Sequence, residues 1–136
     1  MKYLLANRIQ TPDGTILQSF NRHDCKIHKD AVTDEVYMVD GGLAYQRGFV
    51  NTVPAKDMSV YTDDPFELIR EVFCWGTYGK DGKQPLTYKP LKTLTDEHIA
   101  AILDTQWHVP DHIRDVFKEE LKYREQNNCW NPEELD

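Results

Sequence analysis

Apolar and polar positions alternate with a period of two through residues 1–61 and then change to a helical period, which divides the chain into a strand half and a helix half. Residues 3–10 read as a strand. Thr11-Pro12-Asp13-Gly14 reads as a turn, with Pro presetting φ and Gly taking the positive value, and Thr15 to Phe20 returns as the second strand of a hairpin. Cys25 to His28 and Glu35 to Val39 are further short strands, Asp40-Gly41-Gly42 is a tight turn, and Leu43 to Val50 is expected to pair back on the preceding strand. Met58 to Tyr61 offers a short edge strand.

After that the period lengthens. Asp64, Pro65 and Glu67 have the spacing of an N-cap, a first-turn proline and a capping-box partner, and Phe66, Ile69, Val72 and Phe73 form the apolar stripe of a short helix that Gly76 should end. Trp75 to Tyr78 and Leu86 to Leu91 flank a turn at Asp81-Gly82. A second helix is expected from Thr93 or Thr95 to about Gln106, with Ile99, Ile102 and Leu103 inward. Pro110 opens a third, to about Gln126, with Ile113, Val116, Phe117 and Leu121 on one face and Glu120 four residues before Arg124 as a favourable ion pair. The predicted fold is therefore α+β, an N-terminal antiparallel β-meander followed by C-terminal helices. The expected organisation is a single domain, 1–136, with residues 1–61 mainly β, 62–126 mainly helical with a β-hairpin, and 127–136 a tail. Trp130 in that tail predicts docking on a neighbouring subunit, hence a homo-oligomer, dimer or higher.

Composition sharpens this picture in three ways. The 40% hydrophobic share argues for a folded chain, and no apolar run approaches the length of a membrane span or a secretory signal, so the expected location is the cytoplasm. Three widely spaced cysteines fit reduced thiols better than a disulfide framework. The net charge of −7 lies wholly in residues 52–136, because residues 1–51 carry six basic and six acidic side chains. Such a balance excludes DNA tracking, which rewards a basic stripe, and leaves room for a small phosphorylated ligand held by a few cationic groups.

The candidate chemistry centres on Phe73-Cys74-Trp75-Gly76-Thr77-Tyr78-Gly79-Lys80-Asp81-Gly82, which holds three aromatic residues and three glycines in ten positions. Rings stack on a flat heterocycle and glycines let backbone N–H groups approach phosphates, although a strand packing its aromatics into the core has the same composition. Asn21-Arg22-His23-Asp24 is the densest polar cluster; Arg22 and His23 suit anion recognition, His23 steered by Asp24 suits a general base, and a hydrogen-bonded loop explains them equally. Arg47 with Tyr45 can neutralise and stack on a nucleotide, or simply face solvent. Arg114, placed near the start of a helix where the dipole disfavours a cation, points to an anionic partner unless Asp111 and Asp115 explain it. His23, Cys25 and His28 lack a fourth ligand at a recognised spacing, so no metal is expected; Gly76 to Gly82 has one residue too many between its glycines for a phosphate-binding P-loop.

Several short motifs, Asn7-Arg8-Ile9, Asp13-Gly14-Thr15, Arg22-His23-Asp24, Val39-Asp40-Gly41-Gly42, Trp75-Gly76-Thr77 and Tyr123-Arg124, give the chain a pattern that resembles the first family of phage Thoeris anti-defence proteins. At position 48 a Gly stands where a second Arg after Arg47 would be expected. The resemblance implies a non-catalytic sponge, without cofactor, that sequesters cyclic ADP-ribose isomers and, in some members, cyclic oligonucleotides, in the cytoplasm of an infected bacterium. The ligand-binding residues expected on this reading are Arg22, His23, Arg47, Phe73, Trp75, Thr77, Tyr78 and Arg114. Two alternatives stand beside it: an acidic inhibitor of a host defence protein, and a nucleotide-degrading enzyme using His23 and Asp24. Trp75→Ala is expected to abolish binding while sparing the thermal transition.

Overall fold

The structure is a computed structural model that describes residues 2–79 and 81–127. The chain forms two compact units, Met1–Asp63 and Asp64–Asp136, and it is α+β, with an N-terminal antiparallel strand meander and C-terminal helices among which one further hairpin is set. Trp130 and the rest of the expected docking tail from residue 128 lie outside the described residues.

The first unit carries β1 (Leu4–Gln10), β2 (Ile16–Ser19), β3 (Lys26–Lys29), β4 (Val36–Val39), β5 (Lys56–Asp57) and β6 (Val60–Tyr61). β1 is the central strand. It pairs antiparallel with β2 on one side, from Asn7 opposite Ser19 to Gln10 opposite Ile16, and with β5 and β6 on the other, across a register shift between Leu4 and Ala6. The β1–β2 turn closes as its residues dictate: Thr11 N donates to Thr15 O at 2.9 Å, and Gly14 holds a φ of 91°. β3 and β4 form a separate antiparallel hairpin. Leu5, Ala6, Tyr37, Met38, Val39 and Val60 make the core of this unit.

The strand expected over Leu43 to Val50 does not form; that stretch pairs back through the bridge of Asp40 with Arg47. Gly41 and Gly42 both take positive φ, and Ala44 N donates to Gly41 O at 3.0 Å, so the chain coils through a wider loop instead of folding straight back. The Asn7 side-chain amide ties that loop down by donating to Asp40 O at 2.9 Å and Tyr45 O at 3.1 Å. Both glycines are required by space as well as by φ, since a β-carbon on Gly41 would run into Tyr45 and one on Gly42 into the Asn21 backbone.

The second unit carries α1 (Phe66–Val72), β7 (Cys74–Thr77), β8 (Thr87–Pro90), a 3-10 turn (Leu91–Thr93), α2 (Asp96–Thr105) and α3 (Asp111–Gln126). α1 begins one residue later than the capping-box spacing implies: Pro65 takes the N-cap position with no side-chain cap. It also ends earlier, at Val72, because Phe73 is already extended, and Gly76 lies within β7. The core is built from Ile69, Val72, Phe73, Leu91, Leu94, Ile99, Ile102, Ile113, Val116 and Phe117. Phe73 and Trp75 both meet the Phe117 ring edge-on, with centroids 5.9 and 5.1 Å apart, contacts that add about 0.5–1.5 kcal/mol each beyond area burial.

A buried ion network ties this unit together. Glu120 is 0% exposed and accepts from both arginines: Arg70 Nε and Nη2 reach its two oxygens at 2.8 and 2.9 Å, and Arg124 Nε reaches Oε2 at 2.6 Å. Arg124 continues to the Asp96 carboxylate and, through Nη2, to Leu94 O at 2.6 Å. Arg70 also stacks over the Tyr123 ring at 4.4 Å. The Glu120–Arg124 spacing was legible as a helix pair; its burial, and its role in joining α1, α2 and α3, were not.

Candidate functional site

A cavity of about 900 Å³ opens in the second unit between the β7–β8 hairpin and α2. Strand alternation sets one wall. Trp75 and Thr77 are two apart on β7, and Lys89 is the direct partner of Trp75 on β8, so all three share one face of the hairpin. The opposite face is filled by Tyr88, whose ring would lie 3.1 Å from a β-carbon on Gly76; glycine at 76 gives that ring room. Helical spacing sets the other wall, where His98, Ala101, Ile102 and Thr105 fall at i, i+3, i+4 and i+7 of α2. Thr95 starts that helix where it must, accepting from His98 N at 3.0 Å.

At the rim the hairpin loop is shaped by Gly79 and Gly82, both with positive φ, and by Gln84 N donating to Tyr78 O at 2.7 Å. Tyr78 is 56% exposed there. Thr77 is buried, and its hydroxyl accepts from Gly79 N at 3.2 Å. Among the described residues, the charged groups of the lining are Lys89, Asp81 and Glu97. Burial lowers the His98 pKa below its ordinary value, and the positive charge of Lys89 lowers it further, so the imidazole is neutral at pH 7.

Three of the expected ligand-binding residues, Trp75, Thr77 and Tyr78, therefore line one cavity. Phe73 belongs to the core instead: it is 1% exposed and packs on Phe117 beneath the hairpin. Trp75 has a double position, lining the cavity while its edge-on contact with Phe117 anchors it in the core, so Trp75→Ala is now expected to destabilise the unit as well as disturb the cavity. Arg114 donates to Leu103 O at 2.7 Å and Gln106 O at 3.3 Å. It answers the negative end of α2, which explains a cation near the start of α3 without any anionic partner.

The remaining candidates lie in the first unit. Arg22 and His23 are exposed in the turn after β2; Asn21 Oδ1 accepts from His23 N at 2.9 Å, and Asp24 directs its carboxylate to Phe20 N and Lys26 Nζ, both at 2.8 Å. The cluster thus behaves as a hydrogen-bonded loop, with Asp24 bonded away from the His23 ring. Arg47 faces Asp40 at 3.5 Å and is 66% exposed.

His28 sits with neither His23 nor Cys25 but with Asp13 and Asp30, their ligand atoms within 4.8 Å of one another. The oxygens of both carboxylates are already taken. Asp13 accepts from Thr11 Oγ1, Thr15 N, Ala31 N and the His28 ring, and Asp30 accepts from Asp13 N, Val32 N, Thr33 N and Thr33 Oγ1. These donors hold the Asp13 carboxyl far below the usual range, with the bond to Thr15 contributing most. For Asp30, burial acts upward and is outweighed by the bonds from Thr33, Asp13 and Thr11. The geometry is that of a staple joining the β1–β2 and β3–β4 turns, with backbone N–H groups standing where a cation would need free lone pairs.

Lys89 and His98 escaped the sequence reading. A hairpin centred on Gly82 pairs position 75 with 89, so Lys89 was recoverable from the register once the turn was placed. Nothing local marks His98, which reads as one polar position on an amphipathic helix. Comparison with protein families, with curated proteins and with solved structures finds no match to this chain.

Proposed function

We propose that the second unit captures a phosphorylated purine nucleotide in the cavity between the β7–β8 hairpin and α2, and that the protein acts as a sponge for a cyclic nucleotide immune signal, a cyclic ADP-ribose isomer first among them. The observation that carries this reading is the convergence of Trp75, Tyr78, Thr77 and Lys89 on one cavity of about 900 Å³. That volume lies within the range of small-molecule sites, about 300–1,000 Å³. Trp75 and Tyr78 supply faces for the base, Thr77 and the glycine backbone of the loop supply polar contacts for ribose hydroxyls, and Lys89 supplies the cation. Capture without turnover follows from the sequence resemblance and needs tight binding, since nanomolar affinity corresponds to about −12 kcal/mol.

The test is a thermal-shift screen against cyclic ADP-ribose isomers and cyclic di- and trinucleotides, followed by heat denaturation of the loaded protein and chromatography of what is released. A ligand at 100 times its dissociation constant should stabilise by about 2.7 kcal/mol, and it should be recovered intact. Recovery of a cleaved product would replace the sponge with an enzyme, and no shift with any nucleotide would remove the reading. Tyr78→Ala, at an exposed position, should weaken binding by about 1–3 kcal/mol with the fold unchanged.

A further inference from the structure

Trp75, Tyr78 and Lys89 line the cavity from the hairpin, with Lys89 directly across from Trp75, and His98 faces the same space from the first turn of α2. Among the described residues, the other charged or titratable groups lining it are Asp81 and Tyr78 from the hairpin and Glu97 from α2. A phosphate in the cavity is attracted to Lys89, and His98 gives it a second charged partner only if the imidazole is protonated.

We infer that Lys89 and His98 form the phosphate-binding end of the cavity, and that docking of a phosphate or pyrophosphate group between them draws one proton from solvent onto His98. This rests on the nucleotide reading above. In the unliganded cavity burial and Lys89 both work against the imidazolium, so His98 waits neutral, offering one N–H donor. An anion placed against both groups reverses the balance: it offsets the charge of Lys89 and accepts from the imidazolium. Binding then takes up a proton at any pH between the lowered free pKa of His98 and its higher bound value. Affinity for a phosphorylated ligand rises as pH falls through that window, by up to about tenfold per pH unit for one proton, and levels off below it.

The experiment is isothermal titration of the full chain with ADP-ribose, whose pyrophosphate does not titrate over the range used, from about pH 6 to 8 in buffers of different ionisation heat. The expected result is tighter binding at the acid end, with buffer-dependent heats showing net proton uptake of up to one per site. His98→Gln should bind ADP-ribose more weakly than wild type at the acid end and lose both the pH slope and the buffer dependence. Lys89→Met should weaken binding about tenfold at the alkaline end, the loss of one charge-assisted contact. Thermal transitions of the variants at the alkaline end verify folding, and His98→Asn replaces His98→Gln if the longer amide loosens α2. A flat profile in the wild type, or a slope that survives in His98→Gln, overturns this inference while leaving nucleotide capture intact. Failure of ADP-ribose and of every cyclic nucleotide to bind at any pH overturns the capture reading itself.

Discussion

The two units bury charge by opposite means. In the first, Asp30 sits fully enclosed with backbone N–H groups of its own and neighbouring turns as partners, and Asp13 beside it is held the same way. In the second, Glu120 is enclosed by two guanidinium groups carried from α1 and from its own helix. The difference is one of reach. A carboxylate that collects N–H groups fixes loops a few residues long, whereas an arginine on a long stem joins helices that share no local contact. The strand unit therefore uses charge to set turns, and the helical unit uses it to set the relation of its helices. Because Arg124 also grips Leu94 O and Asp96, the same network holds the start of α2, and with it the wall that presents His98.

The largest effect that would break this comparison is expected at Glu120. Glu120→Ala removes the buried carboxylate shared by the half-buried Arg70 and the buried Arg124 and should destabilise by about 3–5 kcal/mol. All three tryptophans lie in residues 64–136, so urea unfolding followed by tryptophan fluorescence reads that unit alone. Replacing Arg70, Glu120 and Arg124 together by Met, Leu and Met should recover much of the loss, because desolvation of the three charges disappears with them. If the triple variant is no better than Glu120→Ala, the network has a positioning role that apolar packing does not replace.

A smaller and more local effect is expected from Asp30→Ala. Its mark is fast hydrogen exchange at the N–H groups of Asp13, Val32 and Thr33, with the tryptophan-monitored transition unmoved. Protection retained at those three positions would show that the staple is not held by the carboxylate.

Acid should then separate the units. The His98 pKa is lowered in the folded state, so the unfolded chain takes up its proton first: this contribution is complete above the ordinary value of 6.5 and is lost as pH falls from there toward the lowered value. The carboxyls of Asp13 and Asp30 are also lowered, so their contribution is complete above 3.8 and declines only below it. Thermal midpoints followed by tryptophan fluorescence should begin to fall at mildly acid pH, before hydrogen exchange quickens at the N–H groups of Asp13, Val32 and Thr33 in the first unit, and His98→Gln should flatten that early decline. The smallest expected effect is at Thr95→Ala, about 1 kcal/mol from loss of the α2 cap, with Thr95→Ser near wild type.

Much of this architecture was legible along the chain, for reasons of short range. The β1–β2 hairpin follows from alternation and from Pro12 and Gly14, α2 begins at the threonine able to cap it, and the β7–β8 register centres on Gly82. Where reading failed, a partner distant in sequence was responsible. The strand after Gly42 gave way to a loop that Asn7 clamps from β1, Phe73 was drawn into the core by Phe117, and Arg114 turned to the end of a different helix.

Of the candidate site, Trp75, Thr77 and Tyr78 were visible as a composition of rings and glycines, because one strand and its turn are consecutive residues. Lys89 and His98 became part of it only when the hairpin lay against α2, since no spacing rule links a strand position to a helix face. By itself, the order of residues determined the α+β succession, the turns, the helix starts and the charge balance, all properties of dihedral preference and period. Only the tertiary structure decided which ring is core and which lines a cavity, and which arginine meets a carboxylate and which a carbonyl. Those outcomes depend on burial, and burial is set by residues the local pattern does not contain.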